Sequence, residues 1–274
     1  MGRRVTGRRM IRSQVTAART ALVIAHPGHE LRVHGWLECA GPEVFVLTDG
    51  SGHAGRSRLA STSRLLHRAG ARRGRIYGRL TDRTFYAALL EGQLDLFTSL
   101  AVELSEALIR SDSDCVVGDA TEGYNPAHDV CRLIVDAAVV LAGKHRGQSL
   151  ANYDFLLAQP PQACPAPLLR RALRYHLDDA AFTRKETAAA EYPEMAGEVD
   201  AALQAWGRDG FRTECLRLVP PASAIRSAGE TPAFYERHGE RQVDAGHYRQ
   251  VLRYRDHVLP VARALEALRE GRRP

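Results

Sequence analysis

The chain is expected to be an α/β protein, with a Rossmann-like, mainly parallel sheet flanked by helices and a mostly helical C-terminal portion. Two observations predict this. Three short apolar runs, Ala21 to Ala25, Val44 to Thr48 and Cys115 to Gly118, have the length and composition of strands buried on both faces. Between them lie segments whose apolar residues recur at three- and four-residue spacing, and strands alternating with helices imply parallel βαβ units.

The helices expected in order are Leu31 to Cys39, Leu59 to Ala69 and a long amphipathic stretch from Phe85 to Arg110. Arg75-Ile76-Tyr77-Gly78 reads as a short additional strand, and a helix beginning at Asn125-Pro126 should run to about Ala142, turning Val130, Leu133, Ile134 and Ala137 inward. After Gln159-Pro160-Pro161 the pattern becomes helical, over Asp178 to Tyr192, Met195 to Trp206 and a closing helix from His247 to Glu270 bent at Pro260. Pro220 to Tyr235 reads as an irregular loop. The divisions expected are a flexible basic tail over 1–19, an α/β region over 20–160 and a helical portion over 161–274 packed into the same domain.

With 274 residues, 45% of them hydrophobic, the chain can bury a large core. Its formal charge of +6 comes almost wholly from arginine, since lysine occurs only at Lys144 and Lys185, and the bias is read as compositional rather than as a nucleic-acid surface. Five separated cysteines without C-x-x-C spacing read as reduced thiols, which points to a cytoplasmic protein. No segment approaches the roughly eighteen apolar residues that a membrane span needs. A small-molecule substrate is the expected partner, and a homo-oligomer is left open.

The chemistry concentrates at two strand ends. The first run stops in Ala25-His26-Pro27-Gly28-His29-Glu30, and a third histidine follows another strand in Tyr124-Asn125-Pro126-Ala127-His128. Open α/β sheets bind ligands at the carboxyl ends of their strands, and neutral imidazoles are good zinc ligands. The alternative is that His26 and His29 cap the following helix while His128 packs near a helix start.

These residues resemble the PIG-L/LmbE-like zinc N-deacetylases, whose signatures are an A-H-P-D-D-E turn after the first strand and an H-P-D-H turn opening a later helix. Leu47-Thr48-Asp49-Gly50-Ser51-Gly52 adds to the likeness, which runs loosely from about residue 20 to 150. The resemblance implies a zinc-dependent hydrolase acting on an N-acylated amino sugar, with His26, His29 and His128 as metal ligands. His29 stands where the family has an aspartate, Gly28 where it has its general base, and Asn125 where it has a general-acid histidine.

A substitute base is sought among Asp119, Glu122 and Asp49, all expected on the same rim, with Asn125 available as a hydrogen-bond donor to the oxyanion. Glu30 is read as supporting a ligand or the helix start. Asp82 resembles a family aspartate that contacts sugar hydroxyls, against the alternative of a helix cap. Arg56, Arg58 and Arg64 follow the second turn and would suit an anionic substrate group if they face the pocket, and Arg64 is taken as a substrate-binding candidate. His34, His53 and His145 could also approach. Asp178-Asp179 and Lys185-Glu186 read as surface charges on a helix. The rival reading is a metal- or sugar-binding protein without hydrolytic activity, or a different metal-dependent reaction in a biosynthetic pathway.

Overall fold

Alternating burial, the signature of strands packed on both faces, builds the centre of the molecule. In β1 (Thr20–Ile24) Ala21 and Val23 point into one apolar cluster and Leu22 and Ile24 into the other. In β2 (Glu43–Thr48) Phe45 and Leu47 join the first cluster and Val44 and Val46 the second. A period-two chain buried on both sides must read as a continuous apolar run, which is how these segments announce themselves. The computed structural model describes residues 19–52, 55–220 and 232–272; most of the expected basic tail, His53 and most of the expected 220–235 loop lie outside them.

Among the described residues seven strands form one sheet in the order β3-β2-β1-β4-β5-β7-β6, with β3 at Arg72–Leu80, β4 at Cys115–Asp119, β5 at Ala151–Phe155, β6 at Leu173–His176 and β7 at Thr213–Leu218. The first five are parallel; β7 runs antiparallel to β5 and to β6. The helices are α1 (His34–Ala40), α2 (Leu59–Arg68), α3 (Asp82–Leu90), α4 (Leu94–Arg110), α5 (Pro126–Arg146), α6 (Ala166–Leu169), α7 (Asp179–Ala190), α8 (Ala196–Arg212), α9 (Phe234–Asp244) and α10 (Leu259–Glu270). Residues of α4, α5 and α10 cover one face of the sheet, and residues of α1, α2 and α7 the other. Among the described residues no helix is long and apolar enough to cross a membrane.

The structure departs from the sequence expectation at β5 (Ala151–Phe155), a parallel strand that no apolar run announced, and at the elements that follow. The stretch from Phe85 to Arg110 is two helices, because Gly92 adopts a left-handed φ of 66° that ends the first. The helix after Asn125 runs past Ala142 to Arg146. Strands β6 and β7 interrupt the helical half; β6 alternates apolar and polar residues, Leu173-Arg174-Tyr175-His176, β7 does so only over Leu216-Arg217-Leu218, and both are short. The closing helical segment starts at Tyr254, not His247: a π-helical turn over Tyr254–Val258 runs directly into α10, and Pro260 lies in the first turn of α10, where its missing N–H costs little. Phe234 and Tyr235 belong to α9 rather than to a loop.

Lys185 corrects a further expectation. Its ammonium is buried, not solvated, and stands 2.9 Å from the Glu214 carboxylate, which is itself buried. Glu214 also accepts hydrogen bonds from the N–H groups of Gly35 and Trp36 at 2.9 Å each, capping the start of α1. Burial pushes the Lys185 pKa down, and Glu214 opposes that push. Glu186, by contrast, pairs with Arg208 on the surface, Asp178 caps α7 and Asp179 meets Arg212.

This pair ties β7 and α7 to the segment that follows the first histidine turn. Removing one partner leaves an uncompensated buried charge, so Lys185→Met should lower unfolding free energy by about 3–5 kcal/mol in urea. Lys185→Met/Glu214→Gln should recover much of that loss; an equally destabilised double variant would show that charge pairing is not what holds this junction.

Candidate metal centre

Three imidazoles meet at the carboxyl end of the parallel strands. His26 leaves β1 directly, His29 opens a short 3-10 turn over His29–Val33, and His128 sits in the first turn of α5 after β4. Their ring centroids lie 5.4 Å (His26 to His29), 5.3 Å (His26 to His128) and 4.5 Å (His29 to His128) apart. All three side chains are largely buried. Burial, with His29 and His26 adding to it, pushes the His128 pKa well below the usual imidazole value.

Two of the rings are oriented by carboxylates. Nδ1 of His26 lies 3.1 Å from Asp82 and 2.8 Å from the Thr48 hydroxyl, and Nδ1 of His29 lies 2.9 Å from Asp119. A carboxylate at Nδ1 selects the tautomer that leaves the Nε2 lone pair available, the arrangement that supports most metal-ligating histidines. Burial opposes the charge on Asp82, but hydrogen bonds from His26, Thr48 and the Gly52 N–H, with the field of His26, outweigh it and hold its pKa below the usual carboxylate range.

The donor set suits zinc. Imidazoles sharing one tetrahedral ion through ring nitrogens would have centroids roughly 5 Å apart. Two of the three separations match and the His29 to His128 pair is tighter; among the described residues no group of three or more His, Cys, Asp or Glu already stands in metal-holding geometry. The chemistry therefore fits, and coordination requires that pair of rings to open.

The structure separates the other candidates. Asp119 is fully buried at the end of β4, where one oxygen accepts from the Ala25 N–H and His29 while the other has no partner. Glu122 turns to the backbone: its carboxylate accepts from the N–H groups of Leu157, Ala158 and Gln159 at 2.7 to 3.2 Å. Asp49 accepts from the Ser51 N–H within its own turn. Asn125 caps α5 by accepting from the Ala127 N–H and also accepts from the Tyr86 hydroxyl. Thr81, not Asp82, caps α3.

Glu30 accepts from the Gly28 N–H and from Thr62, and Thr62 in turn meets the Tyr192 hydroxyl; burial pushes the Glu30 pKa up. Arg64 binds Ser61 and lines a side cavity of about 180 Å³ with His34, away from the histidine cluster along α2. His145 lies at the far end of α5, about 25 Å from His128 along the helix axis. Arg58 lies with its Nη1 3.0 Å from the sulfur of Met195, the residue that stands over Gly28.

Sequence reading missed Met195, Thr48 and Tyr86. Thr48 carries a signal, a hydroxyl closing an otherwise apolar strand; Met195 carries none, because its helix is distant in sequence. Gly28 has a φ of 108°, and a Cβ built there would lie 2.4 Å from the Met195 sulfur. The space of a side chain at Gly28 is thus filled by a methionine.

No protein-family model matches the chain. No curated protein matches it either. Among solved structures, the conserved protein TT1542 from Thermus thermophilus is similar at 17% identity over 77% of this chain and all of that one, with a TM-score of 0.54. The two share a fold. A deacetylase complex from the teicoplanin biosynthetic pathway aligns over 76% of this chain and all of its own at 14% identity and a TM-score of 0.49. The zinc-inhibited form of teicoplanin deacetylase Orf2 aligns over 75% of this chain and all of its own at 12% identity and 0.47.

Gly28→Asp should destabilise the protein by about 1–3 kcal/mol, since it combines an unfavourable φ with the Met195 clash. Met195→Ala in the same chain should relieve the steric share and leave the backbone share. A Gly28→Asp protein as stable as its parent in thermal denaturation would mean that neither the left-handed backbone nor Met195 opposes a side chain there.

Proposed function

We propose that this chain is a metal-dependent hydrolase that removes an N-acyl group, N-acetyl above all, from an amino sugar conjugate or related small molecule, with zinc as its ion. The observation that carries the reading is the meeting of His26, His29 and His128 at the carboxyl end of a parallel sheet, two of them fixed at Nδ1 by buried carboxylates. The likeness of the two histidine turns to the PIG-L/LmbE-like deacetylases supports it.

His26, His29 and His128 would hold the ion. When bound, a divalent cation polarises an amide carbonyl and makes water more acidic. Asp82 and Asp119, standing behind His26 and His29, keep them in the ligating tautomer. Asp119 is the carboxylate we assign as proton acceptor: one oxygen meets the Ala25 N–H and His29 and the other has no partner, whereas both oxygens of Glu122 accept from backbone N–H groups. Tyr86 and the Ala127 N–H orient Asn125, leaving its amide N–H groups as donors at the rim.

One observation favours a second reading. The position of the family's base is Gly28, and Met195 fills the space beside it, which suits a site that binds metal and sugar without hydrolysing the amide.

Protein purified without a metal-binding tag should contain near-stoichiometric zinc by elemental analysis, and His128→Ala should lose most of it. Asp82→Asn should weaken zinc about 10- to 100-fold while keeping the fold. Acetate release from a panel of N-acetyl sugars separates the two readings: turnover that is lost together with the metal in His128→Ala supports hydrolysis, and zinc binding without turnover on any member supports the second.

A further inference from the structure

Two of the four exposed large apolar side chains among the described residues lie against each other. Tyr124, 47% exposed, and Phe234, 41% exposed, stack with centroids 4.9 Å apart and planes 14° from parallel. His238 continues the column beyond Phe234 at 6.0 Å and 22°. Solitary exposed aromatics need no explanation, but a near-parallel column that leaves its last ring half exposed does.

The column is held rigidly. The Phe234 N–H donates to the Gly123 carbonyl at 2.7 Å, and the N–H groups of Glu122 and Gly123 donate to Asp129. Asn125, which follows Tyr124, is fixed by Tyr86 and the Ala127 N–H. Tyr124 is thus set in place on both sides, in the loop that delivers His128 four residues later.

We infer that Tyr124, backed by Phe234 and His238, is the floor of a subsite for a planar aromatic group attached to the substrate. Near-parallel aromatic stacking is continued best by another flat π-system, with an offset arrangement favoured over a face-to-face sandwich. The inference rests on the histidine cluster being the reactive centre, and it makes Tyr124 a specificity-determining residue.

The test compares 4-nitrophenyl and methyl N-acetyl-β-D-glucosaminide, with binding to the full-length chain measured by equilibrium dialysis. The parent should bind the aryl glycoside about three- to tenfold more tightly than the methyl one. Tyr124→Ala and the bulkier Tyr124→Leu should both erase that preference, and Tyr124→Trp should keep it. Equal binding of the two glycosides by the parent, binding of neither, or a preference that survives in a folded Tyr124→Ala or Tyr124→Leu overturns the inference. Acetate release, measured in parallel, keeps the readings apart: an aryl preference without turnover removes the hydrolase, and turnover without an aryl preference removes the platform.

Discussion

The arrangement of the site depends on one buried carboxylate. Asp119 closes β4, accepts a hydrogen bond from the Ala25 N–H at the end of β1 and holds Nδ1 of His29, so the same oxygen joins two parallel strands and aims one imidazole. A charge this deep is tolerable only because donors meet it. With β1 and β4 locked at their carboxyl ends, His26 and His128 are carried to the same place by chain continuity, one directly after β1 and the other on the first turn of α5.

Around this lock the first turn is braced from the other side of the sheet. Glu30 receives the Gly28 N–H and reaches Thr62 on α2, which meets Tyr192 beyond α7. The buried Lys185 and Glu214 then fasten α7 and β7 to the start of α1. The C-terminal half therefore contributes to the site by restraint: it supplies Met195 over Gly28 and anchors the loop's far side, while no imidazole of the cluster comes from it. Such bracing suits a site whose rings must hold their orientation to fractions of an ångström.

Much of this was legible in the sequence. The parallel core was visible because β1, β2 and β4 are buried on both faces, and such strands cannot hide their apolar runs. The three histidines were visible because each stands at a strand or helix boundary. The outer strands β6 and β7 were not, since four and six residues with mixed polarity carry too little period to outweigh the helical composition around them. The partners of the carboxylates were also hidden. Glu122 and Asp119 are three residues apart and chemically alike, yet one turns to three backbone N–H groups and the other to an imidazole, a choice made by where β5 and β1 lie in space. Lys185 misled for a related reason: a lysine in a helix is ordinarily solvated, and only the placement of Glu214 on β7 makes burial tolerable.

The distribution of charge has a further consequence. Three imidazoles form the cluster, while Asp82 and Asp119 lie one hydrogen bond behind two of them. A divalent cation in the cluster would be balanced in total by those two carboxylates, yet the atoms touching it would carry no formal charge. An aspartate in the inner layer, as in the resembling family, would spend negative charge directly on the ion and blunt its pull on a bound carbonyl or water. On the proposed reading, an imidazole at His29 leaves the nearest carboxylate one hydrogen bond behind the cluster, at Asp119, and Met195 occupies the space beside Gly28.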